Sequence, residues 1–186
     1  MNKAVFLDRD GVVIEDVHHL HKPEQIQLID KASEAISLLN KAGMDVVLIT
    51  NQSVVAKQLC TEQELNLIHK KLLELLENNN AKLNKIYYCP HHPEGFGVYK
   101  KNCDCRKPNP GMLFKAADEM SIDLKNSYLV GDKTSDIKAG KIVGCKTIGV
   151  RTGYGCNDAQ FEILADVMAD DLYEAAKIIL GEKNDN

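Results

Sequence analysis

The chain has 186 residues, 44% of them apolar and 27% charged, with a formal net charge of -4. That length suits one domain with a buried core, and the composition excludes disordered and low-complexity classes. The acidic balance, with no clustered Lys/Arg excess, argues against a nucleic-acid partner.

The longest apolar runs are four or five residues, too short to span a membrane, so no membrane partner is expected. Met1-Asn2-Lys3 leads into four apolar residues and then Asp8-Arg9-Asp10, which lacks the apolar core of a signal peptide. Six cysteines in such a chain read as thiols or metal ligands, not disulfides, and a cytoplasmic location is expected. A monomer is the default expectation.

Apolar runs alternate with helical patterns, the signature of a parallel sheet with crossover helices. Ala4 to Leu7 is apolar on both parities, as in a strand covered on both faces. Lys31 to Ala42 places Ala32, Ala35, Ile36, Leu38 and Leu39 on one helical face before Gly43, and Asp45 to Ile49 is a second buried strand. Thr61 and Glu64 form a capping box for a helix with a stripe of Leu65, Ile68, Leu72, Leu75 and Leu76, ending in Asn78-Asn79-Asn80. A strand around Lys85 to Tyr88 precedes a loop, Cys89 to Asn109, too long and too rich in Pro and Gly for an ordinary connection.

Asn109 as N-cap and Pro110 in the first turn predict a helix to about Met120. Strands are expected at Ser127 to Val130 and Lys146 to Val150, with a helix between them ending near Gly144, and then a strand at Val167 to Met168 and a helix from Asp171 to Leu180. The fold class expected is α/β, a doubly wound parallel sheet in one domain without a large cap domain.

Asp8 lies at the carboxyl end of the first strand, where open α/β sheets place their ligands. A carboxylate is a competent nucleophile toward phosphorus, and a second one at Asp10 could protonate the leaving oxygen and then activate water. Two carboxylates beside a phosphate demand a divalent cation, for which magnesium is suited by its hard oxygen ligands. Asp-x-Asp alone also fits an ordinary strand-end turn. Thr50-Asn51-Gln52 and Gly131-Asp132-Lys133 follow two further strands, so three strand ends converge.

Phe6-Leu7-Asp8-Arg9-Asp10-Gly11, Ile49-Thr50-Asn51-Gln52, Arg106-Lys107-Pro108 and Gly131-Asp132-Lys133 resemble the four motifs of haloacid-dehalogenase-type phosphatases. The resemblance runs from Asp8 to about Gly155. It implies a Rossmann-like core, Asp8 as nucleophile, Asp10 as acid and base, and Thr50 and Lys107 stabilising the transferring phosphoryl group. It also implies magnesium held by Asp8, by Asp10 through its backbone carbonyl, and by Asp132, with Asp136 behind them.

Cys89-x-His91, eleven residues, then Cys103-x-Cys105 supply three thiolates and one imidazole, the closed tetrahedral set of structural zinc; His92 is an alternative to His91. An inserted zinc loop would explain how so apolar-poor a stretch orders itself. The Cys-Pro-His-His-Pro and Cys-Asp-Cys-Arg-Lys-Pro segments resemble the zinc loop of the D-glycero-D-manno-heptose 1,7-bisphosphate 7-phosphatases. Histidinol-phosphate phosphatases, a neighbouring branch, have a shorter gap.

That resemblance implies a small phosphorylated sugar as substrate, in nucleotide-activated heptose synthesis for lipopolysaccharide or capsule. Arg106 would grip the remote phosphate, and Asp16, His19, Asn51, Gln52, Ser53 and Lys133 would complete the pocket. The chain departs from the pattern after Gln52, where Ser-Gly-Ile/Val-Ala-Arg-Gly becomes Ser53-Val54-Val55-Ala56-Lys57-Gln58. Asp16-Val17-His18-His19 likewise lacks a tyrosine. Two alternatives stand beside this reading: a histidinol-phosphate or other small phosphomonoester phosphatase, and a non-catalytic zinc-stabilised binding module.

Overall fold

A computed structural model describes residues 2–181. Six strands, β1 (Ala4–Leu7), β2 (Asp45–Asn51), β3 (Lys85–Cys89), β4 (Tyr128–Gly131), β5 (Lys146–Val150) and β6 (Val167–Ala169), form one sheet in the order β3-β2-β1-β4-β5-β6. Every pairing is parallel, with Phe6 between Val47 and Leu129 in register. Helices α1 (Ala32–Lys41), α2 (Ser53–Ala56), α3 (Glu62–Glu77), α4 (Gly111–Met120), α5 (Thr134–Val143) and α6 (Leu172–Leu180) complete the fold.

Strand residues bury alternately on the two faces. Val5, Leu7, Val46 and Leu48 join Ile36, Leu39, Leu65, Leu72 and Ala175 in one core. Ala4, Phe6, Val47 and Ile49 join Met112, Leu113, Ala139 and Val143 in the other. This double burial is why the central strands are continuously apolar, and each fully buried large side chain contributes about 1.5–3 kcal/mol.

Thr61 caps α3 as expected, accepting from the Glu64 N–H at 3.2 Å while Glu64 reaches back to the Thr61 N–H at 2.7 Å. Leu75 is only half-buried, and His69 takes a place on the buried face. Lys31 stands outside α1 in a left-handed conformation. Asn109 does not cap α4: Pro110 is the N-cap, and the Asn109 amide donates to the Cys103 carbonyl at 2.8 Å. The one-turn helix α2 is too short to show a periodicity. Among the described residues, no helix is long and apolar enough to cross a membrane.

β1 is flanked by β2 on one side and β4 on the other, so the crossovers that leave β1 and β4 diverge. A crevice opens at their carboxyl ends, where Asp8 and Asp132 are the first residues beyond β1 and β4.

Candidate active site

Asp8, Lys107, Asp132 and Asp136 are all buried at this crevice. The Lys107 Nζ lies 2.9 Å from Asp8 Oδ1 and 2.7 Å from Asp136 Oδ1, and donates to the Ile49 carbonyl at 2.8 Å. Asn51 fixes the lysine's main chain, accepting from the Lys107 N–H and donating to its carbonyl, both at 3.0 Å. Burial alone would raise the Asp8 carboxyl, but Lys107 and Lys133 hold it below the ordinary carboxylate value. It is therefore an anion at neutral pH.

Asp132 is fully buried, and its Oδ2 accepts the Tyr154 N–H at 2.9 Å. Its Oδ1 has no partner among the described residues. Burial, then the charge of Asp8, pushes Asp132 up to about 8. Asp136 is pushed up to about 6 by burial despite Lys107, and its Oδ2 also accepts the Lys133 N–H at 3.1 Å. Oxygens of Asp8, Asp132 and Asp136 all lie within 4.8 Å of one another. Crowded, buried carboxylates with one orphaned oxygen fit a hard divalent cation, which would offset their repulsion.

Gly11 and Gly153 close over Asp132. Both have positive φ, and a Cβ on either would collide with the Asp132 carboxylate, so only glycine serves there. Thr152 ties the two segments by donating from Oγ1 to the Gly11 carbonyl at 2.6 Å.

The Asp10 carboxylate is not part of this cluster. Arg9, 1% exposed, donates from Nη2 to Asp10 Oδ1 at 2.9 Å and to Gln52 Oε1 at 2.8 Å. Gln52 Nε2 donates to Asp10 Oδ2 at 2.9 Å and to Thr50 Oγ1 at 2.8 Å. Gln52 is thus a buried brace between Asp10 and Thr50, whose hydroxyl proton is left free for another acceptor. Arg9 was not singled out from the sequence, because nothing local shows that so large a cation turns inward.

A cleft of about 650 Å³ opens above, lined by Asp10, Asp16, His19, Ser53, Lys57, His92, Arg106, Lys107, Lys133 and Tyr154 among others. Lys133 Nζ meets Asp16 Oδ2 at 3.3 Å and stands 4.6 Å from the Tyr154 ring centroid. Lys57 Nζ lies 3.1 Å from His19 Nε2. Arg106 donates to the His91 carbonyl at 3.1 Å. His92 is pushed down by burial and by the charges of Arg106 and Lys57, and all three line the cleft. Lys57 and His92 were missed as lining residues, as was Tyr154, which lies beyond the last motif.

Cys89, His91, Cys103 and Cys105 converge with all ligand atoms within 4.8 Å. The Sγ atoms lie 3.0–3.4 Å apart and all are free thiols, well beyond the disulfide bond length of roughly 2.05 Å. His91 Nδ1 is 3.3 Å from Cys105 Sγ, and His92 turns to the cleft instead. Cys105 is pulled down to about 5, first by Cys89, in spite of burial. Four soft ligands closing on one point fit structural zinc.

A parallel sheet of this order with an aspartate cluster at its switch point defines a class, the HAD-like hydrolases. The HAD-hydrolase-like family model matches residues 104–175. The chain is 40% identical to the D-glycero-beta-D-manno-heptose-1,7-bisphosphate 7-phosphatase of Haemophilus influenzae, over 96% of this chain and 97% of that one. It is 41% identical to the protein of the same name from Vibrio cholerae, with 97% of each chain covered. The crystal structure of D,D-heptose 1,7-bisphosphate phosphatase from B. bronchiseptica, complexed with magnesium and phosphate, superposes with a TM-score of 0.88. It is 34% identical, over 97% of this chain and 99% of that one. The chain belongs to the heptose-bisphosphate phosphatase family of HAD-like hydrolases, and is a phosphoric monoester hydrolase.

Proposed function

We propose that this chain removes the C7 phosphate of D-glycero-D-manno-heptose 1,7-bisphosphate in the cytoplasm, as a monomer, in the synthesis of nucleotide-activated heptose. The observation that carries this reading is the ionised Asp8 held against Lys107 beneath a cleft that Lys57, Arg106 and Lys133 also line. Lys107 and Lys133 suit the reacting phosphate, and Arg106 with Lys57 suits a phosphate that is gripped but not cleaved.

Asp8 attacks phosphorus and the bond from phosphorus to the sugar oxygen breaks, with Asp10 donating its proton to that oxygen. Asp10, now a carboxylate, takes a proton from water as the water attacks the aspartyl phosphate, releasing inorganic phosphate and restoring Asp8. In the structure Arg9 and Gln52 hold the Asp10 carboxyl, and it leaves that hold and takes up a proton to act as the acid. Thr50, whose oxygen already accepts from Gln52, points its free proton at a phosphoryl oxygen, and Lys107 offsets the charge that develops. Magnesium, held by Asp8 and Asp132 with the Asp10 carbonyl, supplies countercharge to the phosphoryl oxygens when bound.

Arg106 grips the remote phosphate, for which a bidentate guanidinium is suited. Asp16, His19 and Ser53 shape the sugar's surroundings, and Lys133 reaches the reacting phosphate. Asn51 and Gln52 act from beneath, by holding Lys107 and Asp10. Zinc at Cys89, His91, Cys103 and Cys105 holds the loop that carries Arg106 and Lys107. A panel of phosphate esters with phosphate-release detection tests the substrate. The heptose bisphosphate is expected to give the highest kcat/KM, and a preference for histidinol phosphate would overturn the choice.

A further inference from the structure

Tyr154 is exposed to 41% in the cleft although its backbone is fixed deep in the site. Its N–H is committed to Asp132 Oδ2 at 2.9 Å, and the preceding Gly153 packs against Asp132 and Gly11 too closely for any Cβ. The position of the ring's attachment is therefore set by the buried carboxylate. From there the ring reaches Lys133 Nζ at 4.6 Å from its centroid, while Asp16 Oδ2 meets the same ammonium at 3.3 Å from another element.

Lys133 is drawn electrostatically toward Asp8, Asp132 and Asp136 as well as Asp16. A flexible lysine left to itself would fold down onto the buried carboxylates, neutralising the nucleophile and filling the place of a phosphate. The aromatic face and the Asp16 carboxylate offer it a competing station at the cleft wall. We propose that Tyr154 is a positioning residue, whose ring holds the Lys133 ammonium out over the phosphate pocket in the substrate-ready position. This rests on the reading that Lys133 serves a substrate phosphate. It makes the residue after Gly153 a determinant of phosphate affinity that none of the four motifs contains.

The test compares Tyr154→Leu with Tyr154→Phe, by KM and kcat for the preferred ester and by Ki for inorganic phosphate. Tyr154→Leu is expected to raise KM and the phosphate Ki together by about three- to tenfold, with kcat within about twofold. Tyr154→Phe, which keeps the ring face, restores both. In a Lys133→Met background the Tyr154→Leu change adds nothing further. Wild-type phosphate affinity in Tyr154→Leu overturns the proposal, as does an equal loss in the Leu and Phe variants or an undiminished effect without Lys133. Inorganic phosphate makes the outcome independent of which sugar is the substrate: a wrong sugar leaves the Ki result standing.

Discussion

The Asp8 carboxylate lies 2.9 Å from the Lys107 ammonium, with both groups buried. The pair links the first strand to the loop of the Cys/His cluster across a separation of 99 residues. It explains why a buried carboxylate stays ionised. It also makes Lys107 dependent on Asp8 and Asp136, which together raise its affinity for a proton despite burial.

Lys107→Met removes the only side-chain cation within ion-pair distance of Asp8 among the described residues. A fall in kcat of about a hundred- to a thousandfold is expected, the cost of removing a preorganised group at the developing charge. Steady-state kinetics with magnesium saturating would show it. A change confined to KM would place Lys107 outside the chemical step.

One zinc per chain, retained on dialysis, is expected from the four converging ligands. Stripping it with a strong chelator should lower Tm and weaken substrate binding, because Arg106 and Lys107 directly follow Cys105. Elemental analysis together with a thermal melt measures both. Protein without zinc that melts unchanged would contradict the structural role.

His69 is buried, its Nε2 has no partner, and burial with the charge of Arg9 lowers its pKa to about 3. The folded state therefore binds this proton less readily than the unfolded state, whose histidine titrates near the ordinary 6.5. Stability from this group is present above about pH 6.5 and is lost as pH falls toward 3, with a slope approaching about 1.4 kcal/mol per pH unit. The difference in unfolding free energy between wild type and His69→Gln, followed from pH 7.5 to 4.5, isolates it from the carboxylates. An unchanging difference would show that His69 is protonated as readily in the fold as outside it.

Gln58 occupies a left-handed backbone conformation with φ of 58°, at the place where the related pattern has its second glycine. A side chain there is strained, so Gln58→Gly should stabilise the fold by about 0.5–1 kcal/mol after the extra freedom of glycine in the unfolded chain. Denaturant melts decide it. A loss of stability would show that the Gln58 side chain makes compensating contacts.

What was legible in the sequence had a local signal. The buried strands showed as apolar runs on both parities, α3 showed its capping box, and the convergence of Cys89, His91, Cys103 and Cys105 showed by spacing in a loop with little else to order it. Asp8, Lys107 and Asp132 were readable because each follows a strand or a ligand pair, and Thr50 because it stands at the carboxyl end of β2, one residue inside the strand; the structure brings Asp8, Lys107 and Asp132 together in one crevice. Arg9, Gln52 as a brace, and Tyr154 were not. Their places depend on partners 43 and 22 residues away, and a lone Arg or Tyr in a loop reads as surface. The Asn109 cap failed for a related reason, since the Cys103 carbonyl competes for its amide.

The central claim is that Asp8 is the nucleophile, and Asp8→Asn tests it most directly. The amide keeps the shape of the side chain while removing its charge, so the variant should fold, bind inorganic phosphate, and show turnover at least about ten-thousandfold down. Turnover at or near the wild-type rate in a folded Asp8→Asn protein would contradict the account.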